Sequence, residues 1–494
     1  MARVLLVNPA IYDFAAFDLW AKPLGMLYVA AALEREGHDV RVFDCLDRFH
    51  PALAGAGKAR PRPRRYGTGS YYWRPAAKPA CYSHVPRLYK RFGLPDEVAR
   101  EELAAVPAPD IIGVTSGMTY WYPGVVEIVR TLREVFPRAK IVLGGIYATL
   151  SSEHARETVQ PDFLVAGPGE ARMADIIRGL DGGGGAGGDR ADERADAAAN
   201  ARAAARCAGA KFCDAANPAY HLLRKIDSVS VLTGRGCPFA CAYCASKILA
   251  PVIERREPGA VVDEISGYKA RFGIRDVAFH DDALLWEPER HIKPILREII
   301  ARGLDLRFHT PNGLHARMID GELAALMKRA GFVTLRLSLE TVARGRQADW
   351  AEKVCYEDFL AAAGCLKRAG FAAGDVGAYV MIGLPGETPE EAARNIAAVH
   401  AAGVLVRLAE YSPIPGTAYF ETARRESPVD ITEPLLQNNS ALSAGGIGSY
   451  AKYESLKAFA AGLNRELKSG RTIVSAGEID AASKAAAGVA ESRT

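Results

Sequence analysis

The sequence predicts an α/β protein in which a doubly wound parallel sheet precedes a partial, TIM-like (β/α)6 barrel. Three observations carry this prediction. Short apolar runs alternate with helical patterns in two separate series, a stretch with almost no large apolar side chains divides them, and 494 residues exceed what one ordinary core organises.

The first series opens at Arg3 to Val7, an apolar strand stopped by Asn8-Pro9. Leu24 to Glu36 has helical spacing and ends at Gly37, a residue that accepts the left-handed position after a helix. Asp39 to Phe43, Asp110 to Thr115, Lys140 to Leu143 and Asp162 to Ala166 are further strands, with a helical pattern over Val125 to Phe136. Short continuous apolar runs of this kind belong to a parallel sheet covered on both faces.

Residues 48–109 interrupt the rhythm. Between Lys58 and Arg91 there is no acidic residue, while arginines and lysines accumulate among Tyr66, Tyr71, Tyr72, Trp73, Tyr82 and Tyr89. Such an insertion either holds an anionic ligand by charge and stacking or forms a structured loop over the sheet.

Residues 1–180 are thus expected to form the first domain, and the Gly/Ala-rich segment 181–212 a flexible linker. Cys207 and Cys213 lie in or beside that segment and read as incidental thiols. The barrel is expected over 213–425, with strands at Val229 to Leu232, Asp276 to Phe279, Leu306 to His309, Val333 to Leu339, Val376 to Ile382 and Val404 to Leu408. Pro288 to Ala301 and Gly321 to Ala330 are intervening helices, and Thr388-Pro389-Glu390-Glu391 is a helix start. Residues 426–494 are expected to be a helical extension with a frayed tail.

Composition excludes several classes. Apolar residues at 49% and charged residues at 24% are those of a globular protein, and a net charge of +4 gives no reason to expect nucleic-acid binding. No stretch approaches the ~20 apolar residues of a membrane span, and the N-terminal apolar run is too short for an export signal. The nine cysteines are odd in number and unevenly placed, which in a cytoplasmic chain indicates thiols or metal ligands. Cys45, Cys81, Cys355 and Cys365 read as small apolar residues.

Cys237, Cys241 and Cys244 stand apart, spaced CxxxCxxC directly after the first barrel strand. Three thiolates are one short of an iron–sulfur cluster's usual four, and one short of a closed zinc site. A missing ligand leaves a metal position open for a small molecule, and Gly234 and Gly236 let the backbone bend around it. Further on, Leu335, Leu337 and Leu339 share one face of a strand, and Thr334, Arg336, Ser338 and Glu340 the other. A polar inner face means either a ligand-lined cavity or an internal Arg336–Glu340 pair.

This motif, with aromatic Tyr243 before its last cysteine, resembles the signature of the radical S-adenosylmethionine (SAM) superfamily. The resemblance implies a [4Fe-4S] cluster on the three cysteines, whose open iron is chelated by SAM and which yields a 5′-deoxyadenosyl radical. It places Glu340 where the family touches the ribose, and Asp281 and Asp282 where a Gly-Gly-Glu motif meets the methionine amino group. Met381 to Glu387, including Gly383, resembles the fifth-strand segment near adenine. Ser412 to Thr417 resembles the turn after the sixth strand in the cobalamin-associated branch. His280 and His309 lie near strand ends, where a lone histidine is more often structural.

The first domain is similar to the flavodoxin/Rossmann-like cobalamin-binding domain of that branch. Ser116-Gly117-Met118 ends one strand and Gly144-Gly145 the next, as the SxL and GG elements do, and Gly167 to Glu170 resembles the loop that closes the domain. Lys22 stands where the DxHxxG element supplies a histidine to cobalt, so cobalamin is expected without a protein histidine beneath it.

The resemblance implies a radical enzyme, with methyl transfer to an unreactive carbon or phosphorus as the leading expectation. Cyclisation, rearrangement or oxidation without methylation is the second, and a non-catalytic iron–sulfur or cobalamin sensor the third. The expected partners are a small-molecule or natural-product substrate, anionic if the basic insertion contacts it, and a reductant such as flavodoxin or ferredoxin.

Overall fold

The computed structural model describes residues 1–55, 61–181, 200, 217–349, 354–441, 449–472, 477 and 478. Most of the expected linker lies outside the described residues, as do Cys207, Cys213, Lys58, Arg60 and the tail beyond 478. The chain divides into two compact units, Met1–Ser230 and Val231–Thr494. Among the described residues no helix is long and apolar enough to cross a membrane.

The first unit is built on five parallel strands: β1 (Arg3–Asn8), β2 (Asp39–Asp44), β3 (Ile111–Val114), β4 (Lys140–Leu143) and β5 (Phe163–Leu164). Their order is β5-β4-β3-β1-β2, so the winding reverses between β1 and β3. In β1, Leu5 and Val7 enter one apolar core with Ile128 and Leu132 of helix Tyr122–Val135. Val4 and Leu6 enter the other with Met26 and Leu33 of helix Leu24–Arg35. Burial on both faces explains why the strands are uninterrupted apolar runs.

The basic insertion is a structured cover. Tyr71, Tyr82 and Tyr89 are buried, and Phe14, Tyr82 and Tyr89 pack with ring centroids 5.1–5.5 Å apart. Arg91, fully buried, pairs with Glu127 at 2.6 Å and Asp96 at 2.7 Å. Arg64, Arg65 and Lys90 lie over the rings of Phe17, Tyr66 and Trp73. These cations are therefore committed within the unit.

The second parallel sheet runs β6 (Ser228–Val231), β7 (Asp276–Phe279), β8 (Arg307–His309), β9 (Phe332–Glu340), β10 (Val376–Ile382) and β11 (Leu405–Glu410), in sequence order. Short strand Leu314–His315 also pairs with β9. Helices including Pro258–Phe272, Ile292–Ala301, Gly321–Ala330, Tyr356–Arg368 and Pro389–Ala401 separate the strands. Thr388 caps the last of these by accepting from the Glu391 amide at 3.2 Å. Strand order equal to chain order, with a helix at most crossovers, is the partial (β/α)6 architecture expected from the sequence.

Cys355 corrects one reading. Its sulfur accepts from the Asp358 amide at 3.4 Å and forms a capping box at helix Tyr356–Arg368, so it serves as a polar cap. His309 is buried and paired with Asp276 at 2.9 Å, a structural histidine.

Candidate active site and cofactor-binding edge

The cysteine loop is launched from the carboxyl end of β6 by a buried polar knot. Asp281, just past β7, accepts from the amides of Thr233 at 3.0 Å and Gly234 at 2.8 Å, and from the Thr233 hydroxyl at 2.6 Å. Since that hydroxyl donates to Asp281, it accepts in turn from Nε2–H of buried His291 at 2.7 Å. Burial raises the Asp281 carboxyl to about 6 against the pull of these donors, and lowers His291 to about 4. Neither Thr233 nor His291 is marked by any local pattern, because their partnership spans 58 residues.

Beyond the knot, Gly234 and Arg235 pair antiparallel with Arg255 and Glu254, closing the neck of the loop. At Gly236, φ is +80° and an added Cβ would lie 2.5 Å from the Val252 carbonyl oxygen, so only glycine fits. Phe239, between the first two cysteines, stacks on His315 at 4.3 Å and meets Trp286 edge-on. The Tyr419 amide, at the start of helix Ala418–Glu426, donates to the Ala242 carbonyl at 2.9 Å. The helix that follows the turn after β11 therefore touches the loop.

Cys237, Cys241 and Cys244 are outside any disulfide, the first two half-buried and the third exposed. Among the described residues, the three metal-ligand atoms that converge within 4.8 Å belong to Glu289, Asp320 and Glu322, and those carboxylates surround Lys293. Three thiols on one loop are one ligand short of a closed zinc site and suit a cluster that keeps one iron open.

Of the remaining expected SAM residues, Tyr243, Glu340 and Asp282 lie beside this loop. Tyr243 neighbours Glu340, Cys241 and Cys244, and burial followed by their negative charge raises its phenol well above the usual value. Glu340 is 7% exposed and has φ +60°, at a register shift between β9 and β10. A left-handed glutamate is strained, and such strain is held where it positions a side chain. Asp282 hydrogen-bonds Ser246, two residues past Cys244, and burial of its carboxyl raises its pKa. Arg255, whose pKa burial lowers, faces Asp281, Glu287, Cys237 and Asp282. Of the two aspartates, Asp282 faces the loop and Asp281 holds its base. Gly383, at φ +82°, donates its amide to Glu387 at 2.7 Å, and burial raises that carboxyl to about 7. Arg336 makes no pair with Glu340; its side chain bonds the Leu335 carbonyl at 2.8 Å.

In the first unit, the sequence-read residues Ser116, Gly144 and Gly145 come together at the carboxyl ends of β3 and β4. The Ser116 hydroxyl donates to the Gly144 carbonyl at 2.6 Å, and its own carbonyl accepts from Ile146 at 2.9 Å. Gly145 has φ +97°, and a Cβ there would sit 2.3 Å from the Ser116 carbonyl oxygen. At Gly144 a Cβ would meet nothing nearer than Val165, 3.8 Å away. Met118 is half-buried at the start of the one-turn helix Thr119–Trp121. Lys22 is ion-paired with Asp18 at 3.1 Å and Asp227 at 3.4 Å.

A parallel sheet ending in glycines and a partial barrel carrying three thiols after its first strand are the features of two known domain families. Residues 231–398 match the Radical SAM superfamily, and residues 94–177 match the B12 binding domain. The chain belongs to the radical SAM superfamily, in the branch that carries a B12-binding domain, and it is an enzyme. It is similar to the uncharacterized methyltransferase PH0819 of Pyrococcus horikoshii, 25% identical over 421 residues, 81% of this chain and 78% of that one. It also resembles the anaerobic magnesium-protoporphyrin IX monomethyl ester cyclase of Cereibacter sphaeroides, 25% identical over 268 residues, 50% of this chain and 43% of that one. Its fold is shared with the radical SAM methyltransferase TsrM of Kitasatospora setae at a TM-score of 0.62 and 20% identity, covering 87% of this chain and 78% of that one.

The cofactors of this class are a [4Fe-4S] cluster, SAM and cobalamin. The three thiols fit the cluster, and the open space beside Gly144 fits a ligand that approaches the backbone closely. Lys22 is engaged in ion pairs with two carboxylates, on Asp18 and Asp227, and so does not stand free as a ligand for cobalt.

Proposed function

We propose that this enzyme is a cobalamin-dependent radical SAM methyltransferase acting on an unreactive carbon or phosphorus of a small-molecule or natural-product substrate. The observation that carries this reading is the three-thiol loop beside a strained Glu340 and the oppositely charged Asp282 and Arg255. When bound, the cluster with SAM supplies a 5′-deoxyadenosyl radical, and cobalamin supplies the methyl group. The chain's own part is positioning. Cys237, Cys241 and Cys244 hold three corners of the cluster and leave the fourth for SAM. Asp282 and Arg255 offer opposite charges for an amino acid's ammonium and carboxylate. Glu340 accepts from a ribose hydroxyl, and Gly383 leaves room for the adenine ring. Ser116, Met118, Gly144 and Gly145 receive the corrin. A flavodoxin or ferredoxin supplies electrons.

A second reading, radical cyclisation or oxidation without methylation, is favoured by the likeness to the magnesium-protoporphyrin ester cyclase. One experiment separates them. The reconstituted protein is incubated anaerobically with SAM, reductant, methylcobalamin and candidate substrates. Release of 5′-deoxyadenosine with a product heavier by one methylene supports methyl transfer. An unchanged or hydrogen-depleted product supports the second reading, and no 5′-deoxyadenosine with any substrate leaves a sensor.

A further inference from the structure

Two arginines on the barrel sheet have no counter-ion among the described residues. Arg336 of β9 is in register with Gly377 of β10, and Arg407 of β11 with Tyr379. A Cβ on Gly377 would lie 3.3 Å from Arg336 Nη1 and 3.3 Å from Arg407 Nε, which puts the two nitrogens within 6.6 Å of each other. The absent side chain at 377 is what lets both guanidiniums meet over one point.

Among the described residues no carboxylate pairs with either arginine. Arg336 is half-buried, and its one side-chain bond goes to the neighbouring Leu335 carbonyl. Elsewhere in this unit, half-buried or buried arginines such as Arg256, Arg307 and Arg346 each face a carboxylate, on Glu264, Asp276 and Glu391. Tyr379 adds no charge, because its hydroxyl donates to the Pro311 carbonyl at 2.7 Å and burial raises its pKa. Burial and the nearby Arg407 lower Arg336 to about 10. Two like charges held close together, the half-buried Arg336 above all, are unfavourable until an anion sits between them.

We propose that Arg336 and Arg407 form an oxyanion subsite, which binds a carboxylate or phosphate carried by the substrate. Such a group makes N–H···O bonds of about 2.8 Å through two oxygens and so bridges donors roughly 6–8 Å apart. Glu340 lies further along β9, past the register shift after Ser338; its partner Val380 is three residues beyond Gly377, the partner of Arg336, which is roughly 10 Å at 3.3 Å per residue. The anion is therefore at the substrate end remote from the ribose contact. That assignment to substrate rests on the function proposed above, whereas the anion binding itself does not.

The test uses the full-length, cluster-reconstituted protein in anaerobic isothermal titration at fixed ionic strength. Inorganic phosphate and succinate are the two probes, separating phosphate from carboxylate recognition. Saturable binding of at least one is expected in the wild type, weakened about tenfold or more in Arg407→Gln. Arg407 is exposed, so that variant is expected to fold. Gly377→Ala, whose methyl would press on both guanidiniums, is expected to weaken the same probe, and Arg407→Lys to restore part of the affinity. No saturable binding in the wild type, or equal affinity in Arg407→Gln, overturns the subsite. Turnover is not read here, so a failure to release 5′-deoxyadenosine would sink the proposed function and leave this result standing.

Discussion

The glycine edge of the first unit and the cysteine loop of the second both lie at the carboxyl ends of parallel strands, yet they are held in opposite ways. At β3 and β4 the fixing is through backbone groups and two neutral hydroxyls, those of Ser116 and Thr149, which donate to the Gly144 and Gly145 carbonyls. At β6 the fixing is by side chains: Asp281 and His291 grip Thr233, and Phe239 stacks on His315. On the function proposed above, the difference follows from the ligands: a broad, flat cofactor would be received where side chains are missing, whereas a cluster bonded through sulfur needs thiols lifted off the strand on a loop that cannot drift.

The harshest test of that contrast is Cys241→Ala. Removing one of three ligands is expected to abolish cluster assembly and 5′-deoxyadenosine release together. Iron content and visible absorbance of the anaerobically reconstituted variant report the first, and chromatography the second. Retention of both would remove the loop from the active site.

Gly145→Ala attacks the other edge. A Cβ 2.3 Å from the Ser116 carbonyl oxygen, at φ +97°, must displace backbone. A loss of about 3 kcal/mol in denaturant unfolding is expected, with loss of cobalamin retention. Gly144→Ala sharpens the comparison, because its methyl meets nothing closer than 3.8 Å and leaves the fold intact. Weaker hydroxocobalamin binding with unchanged stability would mark that face as the corrin's. If Gly144→Ala binds cobalamin as the wild type does, the glycine edge is there for packing alone.

The two regions also differ in how far their sequences disclosed them. Ser116, Gly144 and Gly145 were legible because small residues at strand ends have a direct geometric meaning, and the CxxxCxxC spacing was legible because the ligands lie on one loop. The strands were legible too, since both sheets are buried and their apolar runs are continuous. What stayed hidden is long-range. Nothing local ties Asp281 to Thr233, 48 residues away, so the aspartate pair at the end of β7 was read as one ligand-binding unit. The insertion's cations read as a candidate anion site because Glu127, the partner of Arg91, is 36 residues downstream.

A milder test concerns pH. Glu387 accepts from Gly383 and Leu384 through one carboxyl oxygen, while the other is buried without a partner. Burial raises this group from 4.5 to about 7. A raised folded-state value favours the protonated form, so the group's contribution is complete below pH 4.5 and is lost as the pH rises through about 7. Glu387→Gln mimics the protonated acid. Across that window the wild type is expected to lose stability relative to the variant, on the order of 3 kcal/mol at most. Parallel urea midpoints at each pH would refute this. Glu387 would then carry no excess proton, and burial would not govern the turn at Gly383.

The smallest effect is expected at Lys22, and it separates a structural cation from a metal ligand. Lys22 shares Asp18 and Asp227 with Arg48, which reaches them at 3.0 and 3.3 Å. In Lys22→Met the two carboxylates keep one guanidinium, so the cost should be about 1–2 kcal/mol, less than that of breaking an isolated buried pair. If the ammonium only balances charge, the visible spectrum of the cobalamin-loaded variant should overlay that of the wild type. A shifted spectrum would mean that Lys22 leaves its carboxylates when the corrin binds. The first unit would then also hold its cofactor by a side chain, and the contrast with the cysteine loop would fall.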